Sequence, residues 1–390
     1  MTPSDSPAAP TTAEKLETWG LARCPLAALA RLEPLVEELS KSFTDARPEH
    51  YQAYLDTPDV LTAYTLFFAP QTAARTEAAL RGILTRLPAF PQRPLRVLDL
   101  GCGVGSAALG ALVPLQEASG HPPTITCVDW SAAALAAAAE LLPGCTCVQA
   151  DLRTYCPTAP YDVILSSFAF NEAFPKSTEA REALTRLTAA LATDSPAFLL
   201  LLEPASRADT PRFLALRTAL PEAPLYAPCP HNRPCPMLAT HEGICHDVRR
   251  FRPGRAMTLL NRHLYRTIAD VKYALLAFGR PGGPAAEGFN DPEFLRITGP
   301  MDKAKGLLTC RACMGDGALR RVELPIAALS AERRHALLNR QRGDCAWLDG
   351  PLDLRRRLAN DTIQRTADLR FTDEPPPTLD DDCADFSFSI

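Results

Sequence analysis

The sequence predicts an α/β protein: a parallel sheet covered on both faces, a helical region ahead of it, a cysteine-rich insertion near its end and a small β unit behind it. Three observations predict this. Apolar residues recur at helical spacing from about residue 14 to 86, as in LAALARLEPLVEELSKSF and TAARTEAALRGILTRL. From residue 95 to 203, short and nearly continuous apolar runs alternate with helical patterns, which is how strands buried on both faces read. After Pro204 the alternation breaks into a stretch crowded with cysteine, proline and arginine.

Composition narrows the class. The 390 residues leave room for two or three domains, and 46% hydrophobic against 22% charged is enough apolar material for a sizeable core. A formal net charge of −4 excludes a protein that coats nucleic acid uniformly, although basic residues can still be segregated. Thirteen cysteines in a chain too large to need a disulfide framework point to a reducing compartment, where clustered cysteines bind metal. The N-terminal MTPSDSPAAPTTAEKLETWG has no apolar h-region and no arginine-rich transit pattern, and no apolar run approaches the ~18 residues of a membrane span. The expectation is a cytoplasmic monomer with no membrane and no DNA partner.

Taken in order, residues 1–13 are rich in Pro, Ser, Thr and Ala and read as disordered, and 14–90 is the helical region, closed by AFPQRP. The core spans 91–280: strand 95–100, a helix from Ser106, strand 124–129, helix 131–142, strands 146–151 and 161–168, helix 177–192 and strand 197–203. The Cys/Arg-rich insertion occupies 204–272, and strand 273–279 resumes the core. Residues 281–350 form the small β extension, and 351–390 is a tail whose acidic end, DEPPPTLDDDCADFSFSI, reads as disordered.

RVLDLGCGVGSAALG places Gly101, Gly103 and Gly105 directly after a buried strand and before a helix, where a chain without Cβ atoms can approach a ligand closely. The dinucleotide fingerprint wants its third glycine one place later, where Ser106 stands. With Asp99 ahead of the loop, the pattern instead resembles the D/E-x-G-x-G-x-G loop of the class I S-adenosylmethionine methyltransferases. The resemblance implies a Rossmann-like core that binds S-adenosyl-L-methionine through Asp99, Gly101, Gly103 and Gly105. It implies that Asp129, ending the second strand, takes the ribose hydroxyls and that Asp151, ending the third, sits beside the adenine. The fourth strand ends in SSFAFNEAFP, which lacks the amino-methylating N-P-P-Y pattern; Asn171 and Glu172 are the candidates there for orienting an acceptor or the cofactor, or are a loop cap.

In APCPHNRPCPMLATHEGICH (227–246), Cys229, Cys235 and Cys245 are spaced too widely for a zinc ribbon, and the radical-methionine motif C-x3-C-x2-C is absent. Iron–sulfur clusters accept wide spacings, because their thiolates arrive from separate loops. His231, His241 and His246 are further ligand or hydrogen-bond candidates. Cys102, Cys127, Cys145, Cys147 and Cys156 fall on or near core strands and read as packing residues.

APCPHNRPCPM, ICHDVRRF and YALLAFGR, following a methyltransferase core, resemble the ribosomal small-subunit methyltransferase-like family, whose mitochondrial members assist small-subunit assembly. The likeness covers most of residues 50–345; Ile244 and Asp247 depart from the family's W-C-H-F, while the cysteines match. It implies a 4Fe–4S cluster on Cys229, Cys235, Cys245 and a fourth cysteine before a C-x-x-[DE]-G turn, which is Cys313. Cys310 competes, but residues three apart on a strand face opposite ways, so only one of the two serves. Zinc on the same thiolates is the alternative. Arg249, Arg250, Arg252, Arg255, Arg262 and Arg266 form a basic stretch in this net-acidic chain, and Arg311, Arg320, Arg321, Arg333, Arg334, Arg340 and Arg342 form a second. Both read as phosphate-facing surface. The expected function is S-adenosylmethionine-dependent methylation of rRNA during small ribosomal subunit assembly. The alternatives are a non-catalytic assembly factor that uses cofactor and cluster structurally, and a free-standing small-molecule methyltransferase.

Overall fold

The computed structural model describes residues 10–44, 54–240, 244–356 and 362–374. The ends expected to be disordered fall largely outside the described residues; within 1–13, a helix already begins at Thr12, where Thr11 and Glu14 form a capping box. His241 also lies outside them.

The core sheet contains β1 (Arg96–Leu100), β2 (Thr124–Asp129), β3 (Thr146–Gln149), β4 (Val163–Ser167), β5 (Phe198–Glu203), β6 (Leu225–Ala227), β7 (Asp247–Arg250) and β8 (Asp270–Gly279). Its order is β3-β2-β1-β4-β5-β8-β6, with β7 paired to β8. Pairings among β1 to β5 are parallel, as expected. β8 runs antiparallel to β5, β6 and β7. The long insertion, rather than a crossover helix, joins β5 to β8, so the chain re-enters from the opposite end. The same insertion supplies β6 and β7 as short strands of its own. The strand FLLLLE is buried throughout because helices cover both faces. Cys102 and Cys127 pack in this core as expected, whereas Cys147 and Cys156 are exposed, because β3 is an edge strand and Cys156 lies in the loop beyond it.

The N-terminal helices pack on one face of the sheet. Helix Ala69–Leu84 lies so close to helix Ser106–Ser119 that a Cβ on Gly110 would collide with the carbonyl of Ala73. The helical region also shares a separate apolar cluster with the insertion: Leu29, Val36 and Phe67 pack against Met257 and Leu260 of helix Arg255–His263 and against Val271.

Beyond β8 stands a second sheet of β9 (Phe294–Ile297), β10 (Asp302–Ala304), β11 (Leu307–Met314), β12 (Leu319–Pro325), β13 (Cys345–Arg356) and β14 (Thr362–Phe371). β9 pairs with both β13 and β11, so five strands close on themselves, with β10 appended to β11. The β extension therefore runs to residue 371, past the expected boundary at 350. Its last strand closes the barrel by inserting between β12 and β13, a long-range pairing that local patterning does not carry.

Candidate functional site

A cleft of about 1370 Å³ opens over the carboxyl ends of the parallel strands. Gly101, Gly103, Asp129 and Asp151 line it from the core, as the sequence suggested. Gly101 has φ +69° and a Cβ there would strike Ala169, so only glycine fits the turn. Gly103 donates its N–H to Asp129 Oδ2 at 2.8 Å, and Ser131 N donates to Oδ1 at 3.0 Å. Burial raises the Asp129 carboxyl, and these backbone donors partly offset it. Asp151 holds Arg153 in a two-pronged ion pair at the rim, and that partner lowers its carboxyl.

Two expected members stand behind the cleft. Asp99 is fully buried and accepts the N–H of Ala108 at 3.0 Å, which anchors the start of helix Ser106–Ser119. Gly105 starts that helix and packs against Leu142. Both are needed for the loop's shape and neither lines its mouth. Burial, opposed by the Ala108 hydrogen bond and reinforced by Asp129, pushes the Asp99 carboxyl up to about 7.

After β4 the pair Asn171–Glu172 splits. Glu172 lines the cleft. Asn171 turns away: its N–H donates to Glu203 Oε1 at 2.8 Å and its Oδ1 accepts from Arg212 at 3.0 Å. These contacts brace the loop, in keeping with the loop-cap alternative. Phe168 of the same loop also lines the cleft, a non-glycine residue at φ +63° and therefore strained. The Arg75 guanidinium sits 4.9 Å over its ring. Arg75 belongs to the N-terminal helices, which with Tyr64 and Phe68 wall the cleft opposite the core. Ser131, at the end of β2, donates to Asp56 Oδ1 at 2.6 Å and ties that wall down. Sequence patterning named the helices without showing that they complete the cleft; only the apolar face of 58–84 could have hinted at it.

The four expected cysteines come together. Cys229, Cys245 and Cys313 are buried and Cys235 is half-buried; Cys229 feels Cys245 and Cys235, and Cys313 feels all three others. Cys310 faces into the barrel instead, as strand alternation requires. Burial pushes the Cys229 thiol up to about 12, with Arg217 pulling the other way. Arg217 is itself buried; it donates to Cys229 Sγ at 3.1 Å, Arg233 O at 2.6 Å and His231 O at 2.7 Å. No carboxylate among the described residues pairs with it. His231 Nε2 lies 3.3 Å from Cys313 Sγ, and burial keeps its ring neutral. His246 turns to the carbonyl of Ile244. A second buried guanidinium, Arg296, hydrogen-bonds Asp247 and acts on Cys245. No group of three or more His, Cys, Asp or Glu among the described residues is placed to hold a single metal ion.

The basic residues divide by burial. Arg249 is held between Asp247 and Asp344 and ties β7 to the barrel, so it is structural. Arg266 donates to Ser40 at 2.8 Å beside the cleft. Arg250 is exposed and hydrogen-bonds Asn339, while Arg252, Arg255 and Arg262 are exposed. Beside them Tyr265, at φ +51°, is 99% exposed, an aromatic among arginines that residue counting missed. In the barrel, Arg333 and Arg340 are taken up by Asp368, Asp373 and Glu374, and Arg320 by Asp316.

The sheet order and the glycine-lined cleft define a class I methyltransferase-like protein. The profile of the family described as mitochondrial small ribosomal subunit Rsm22 matches residues 58–327, and the chain belongs to that family. The human ribosome assembly protein METTL17, mitochondrial, is 26% identical over 322 residues, 77% of this chain, and the chain spans 64% of that relative's length. Trans-aconitate 2-methyltransferase of Azoarcus sp. is 37% identical over 93 residues, 24% of this chain and 34% of that enzyme. Among solved structures, the N-methyltransferase NodS of Bradyrhizobium japonicum with S-adenosyl-l-homocysteine aligns at TM-score 0.33 and 14% identity, covering 63% of this chain and 98% of that one. The citrinin polyketide synthase CMeT domain aligns at TM-score 0.39 and 17% identity, covering 71% of each.

Asp99 makes stability depend on pH. Its carboxyl is raised in the folded state from 3.8 to about 7, so its contribution is full below about pH 4 and is lost as pH rises through 7. Asp99→Asn should flatten this slope and melt at a higher temperature than the parent above pH 7, with the two converging near pH 4. Thermal unfolding across that range checks it; parallel curves would contradict it.

Proposed function

We propose that the chain binds S-adenosyl-L-methionine in the cleft, carries a 4Fe–4S cluster on Cys229, Cys235, Cys245 and Cys313, and binds small-subunit rRNA during assembly of the small ribosomal subunit. The observation that carries the reading is Arg217: a buried guanidinium whose nearest possible counter-anion is the sulfur of Cys229. A buried cation without an anion costs several kcal/mol. Four neutral thiols leave that cost standing, whereas thiolates ligating a metal remove it, so the donor set fits a metal-bound state. Soft sulfur donors drawn from both the insertion and the barrel suit a cluster, which is larger than one ion. Bound there, it supplies a cross-link between the two elements.

The cleft fits the nucleoside cofactor. At Gly103 a Cβ would project toward Leu55 and Tyr64 across the opening, leaving a cradle that only glycine keeps clear. Asp129 and Asp151 stand at successive strand ends, as hydroxyl and amine partners should. When bound, the cofactor supplies an electrophilic methyl group. The volume of about 1370 Å³ exceeds the roughly 300–1,000 Å³ of a single-ligand pocket and leaves space for an acceptor. Glu172 and Phe168 face that space, and methyl transfer there rests on positioning. The exposed Arg252, Arg255 and Arg262 with Tyr265 offer phosphate contacts and a stacking ring to RNA. The family and the printed role of the human relative support the ribosomal setting.

Anaerobically purified protein should be brown and contain iron and inorganic sulfide. Cys313→Ser should lose both, and Cys310→Ser should keep them; a colourless, zinc-loaded protein would overturn the cluster. Gly101→Val, which drives a side chain into Ala169 at a left-handed position, should weaken S-adenosylmethionine binding by more than tenfold in calorimetry while leaving the metal in place. Unchanged affinity would remove the cofactor from this cleft.

A further inference from the structure

The barrel beyond the core has a specific topology. Numbered from β9 and setting aside the β10 hairpin, its five strands pair 1-2-3-5-4 and then back to 1. All pairings are antiparallel except the one between the third and fifth, β12 and β14. A helix, Ala331–Leu338, lies between the third and fourth strands and sends the buried Leu337 into the barrel core. This is the oligonucleotide-binding (OB) barrel, a five-stranded Greek-key closure whose second and third strands present a ligand face.

That face is basic. Leu308, Cys310, Ala312, Val322 and Leu324 fill the interior. Thr309 and Arg311 of β11 and Arg321 and Glu323 of β12 therefore lie on the other side of the sheet, where Arg311 is exposed and Arg321 partly exposed while Thr309 and Glu323 are buried. Arg311 and Arg321 stand directly opposite each other, and the next position on the same rung is Ile363. Like charges facing across a ladder destabilise it unless an anion lies between them. Glu323 pairs with Arg321, whose Nε is 3.5 Å away, and with the neighbouring Arg365 at 3.2 Å, so one carboxylate serves two guanidiniums. Lys303 and Lys305, exposed in the connection between the first two barrel strands, extend the positive surface. Arg320, Arg333 and Arg340 are held by Asp316, Asp368, Asp373 and Glu374. Cys313 belongs to the same outward row, so the face begins at the thiol cluster.

We propose that this face, through Arg311 and Arg321, binds a single-stranded RNA segment, gripping its phosphates with little sequence preference because no aromatic ring stands among these outward residues. This deepens the rRNA-binding reading and rests on it, but at a site separate from the helix arginines.

The test uses the full, metal-loaded chain, a fluorescent 12-nucleotide single-stranded RNA of mixed sequence and a duplex of the same length. The parent should prefer the single strand. Arg311→Glu/Arg321→Glu should weaken single-strand binding by at least tenfold and reduce the salt dependence by the equivalent of about two phosphate contacts, roughly 1.4 in the logarithmic slope. Metal content and melting temperature should be unchanged. Arg252→Glu/Arg255→Glu/Arg262→Glu serves as the comparison. If only that variant loses RNA, or the duplex binds as well as the single strand, the barrel face is overturned while rRNA binding survives. If the parent binds no RNA, both readings fail.

Discussion

A guanidinium buried without a carboxylate governs the distal half of this molecule. Arg217 lies at the centre of the insertion, donates to two backbone carbonyls and one sulfur, and has no counter-ion until that sulfur is a thiolate. Its three donors fix the loop carrying Cys229 and the turn through His231 and Arg233, so one cation sets the shape of the chain that presents the cysteines. Cys313 comes from a different sheet, nearly seventy residues beyond Cys245. The pocket that gathers the thiols is therefore also the joint between the methyltransferase-like core and the barrel. A second charged layer reinforces the joint: Asp247 of β7 receives Arg296 of β9 and Arg249, and Arg249 reaches Asp344. Such pairs are costly to break and do little for stability relative to apolar packing. Their value here is register, since they fix where β7 meets the barrel.

The cleft depends on a comparable joint at the other end. The core supplies the glycine loop and the strand-end carboxylates, and the N-terminal helices supply the facing wall with Tyr64, Phe68 and Arg75. Gly110 permits their close approach, and the cluster shared with helix Arg255–His263 binds them to the insertion. The basic helix is thus packed against the N-terminal helices through Met257 and Leu260.

Much of this was legible in the residues. The strand–helix alternation located the parallel strands to within a residue or two, because strands buried on both faces are apolar throughout. The glycine loop, Asp129 and Asp151 announced the cleft, since a tight turn and a strand-end carboxylate each leave a local mark. Alternation on β11 separated Cys313 from Cys310. What was not legible has a different cause. Asp99, Gly105 and Asn171 carry the right residue types, but their hydrogen bonds and packing point into the scaffold, and only the three-dimensional arrangement reveals that. Arg249 looked like surface because its partner Asp344 is remote in sequence. The closing strand β14 was missed because its pairing with β12 is long-range, so the barrel and its topology were invisible to patterning.

The central claim is that metal at the four cysteines fastens the barrel to the core. Hydrogen–deuterium exchange on the metal-loaded protein and on the same protein after chelation measures this most directly. The account predicts that protection falls in β6, β7 and the Cys313 half of β11 on metal removal, while β1, β2, β4 and β5 keep theirs. Equal protection in the two states at β7 and β11 would contradict it.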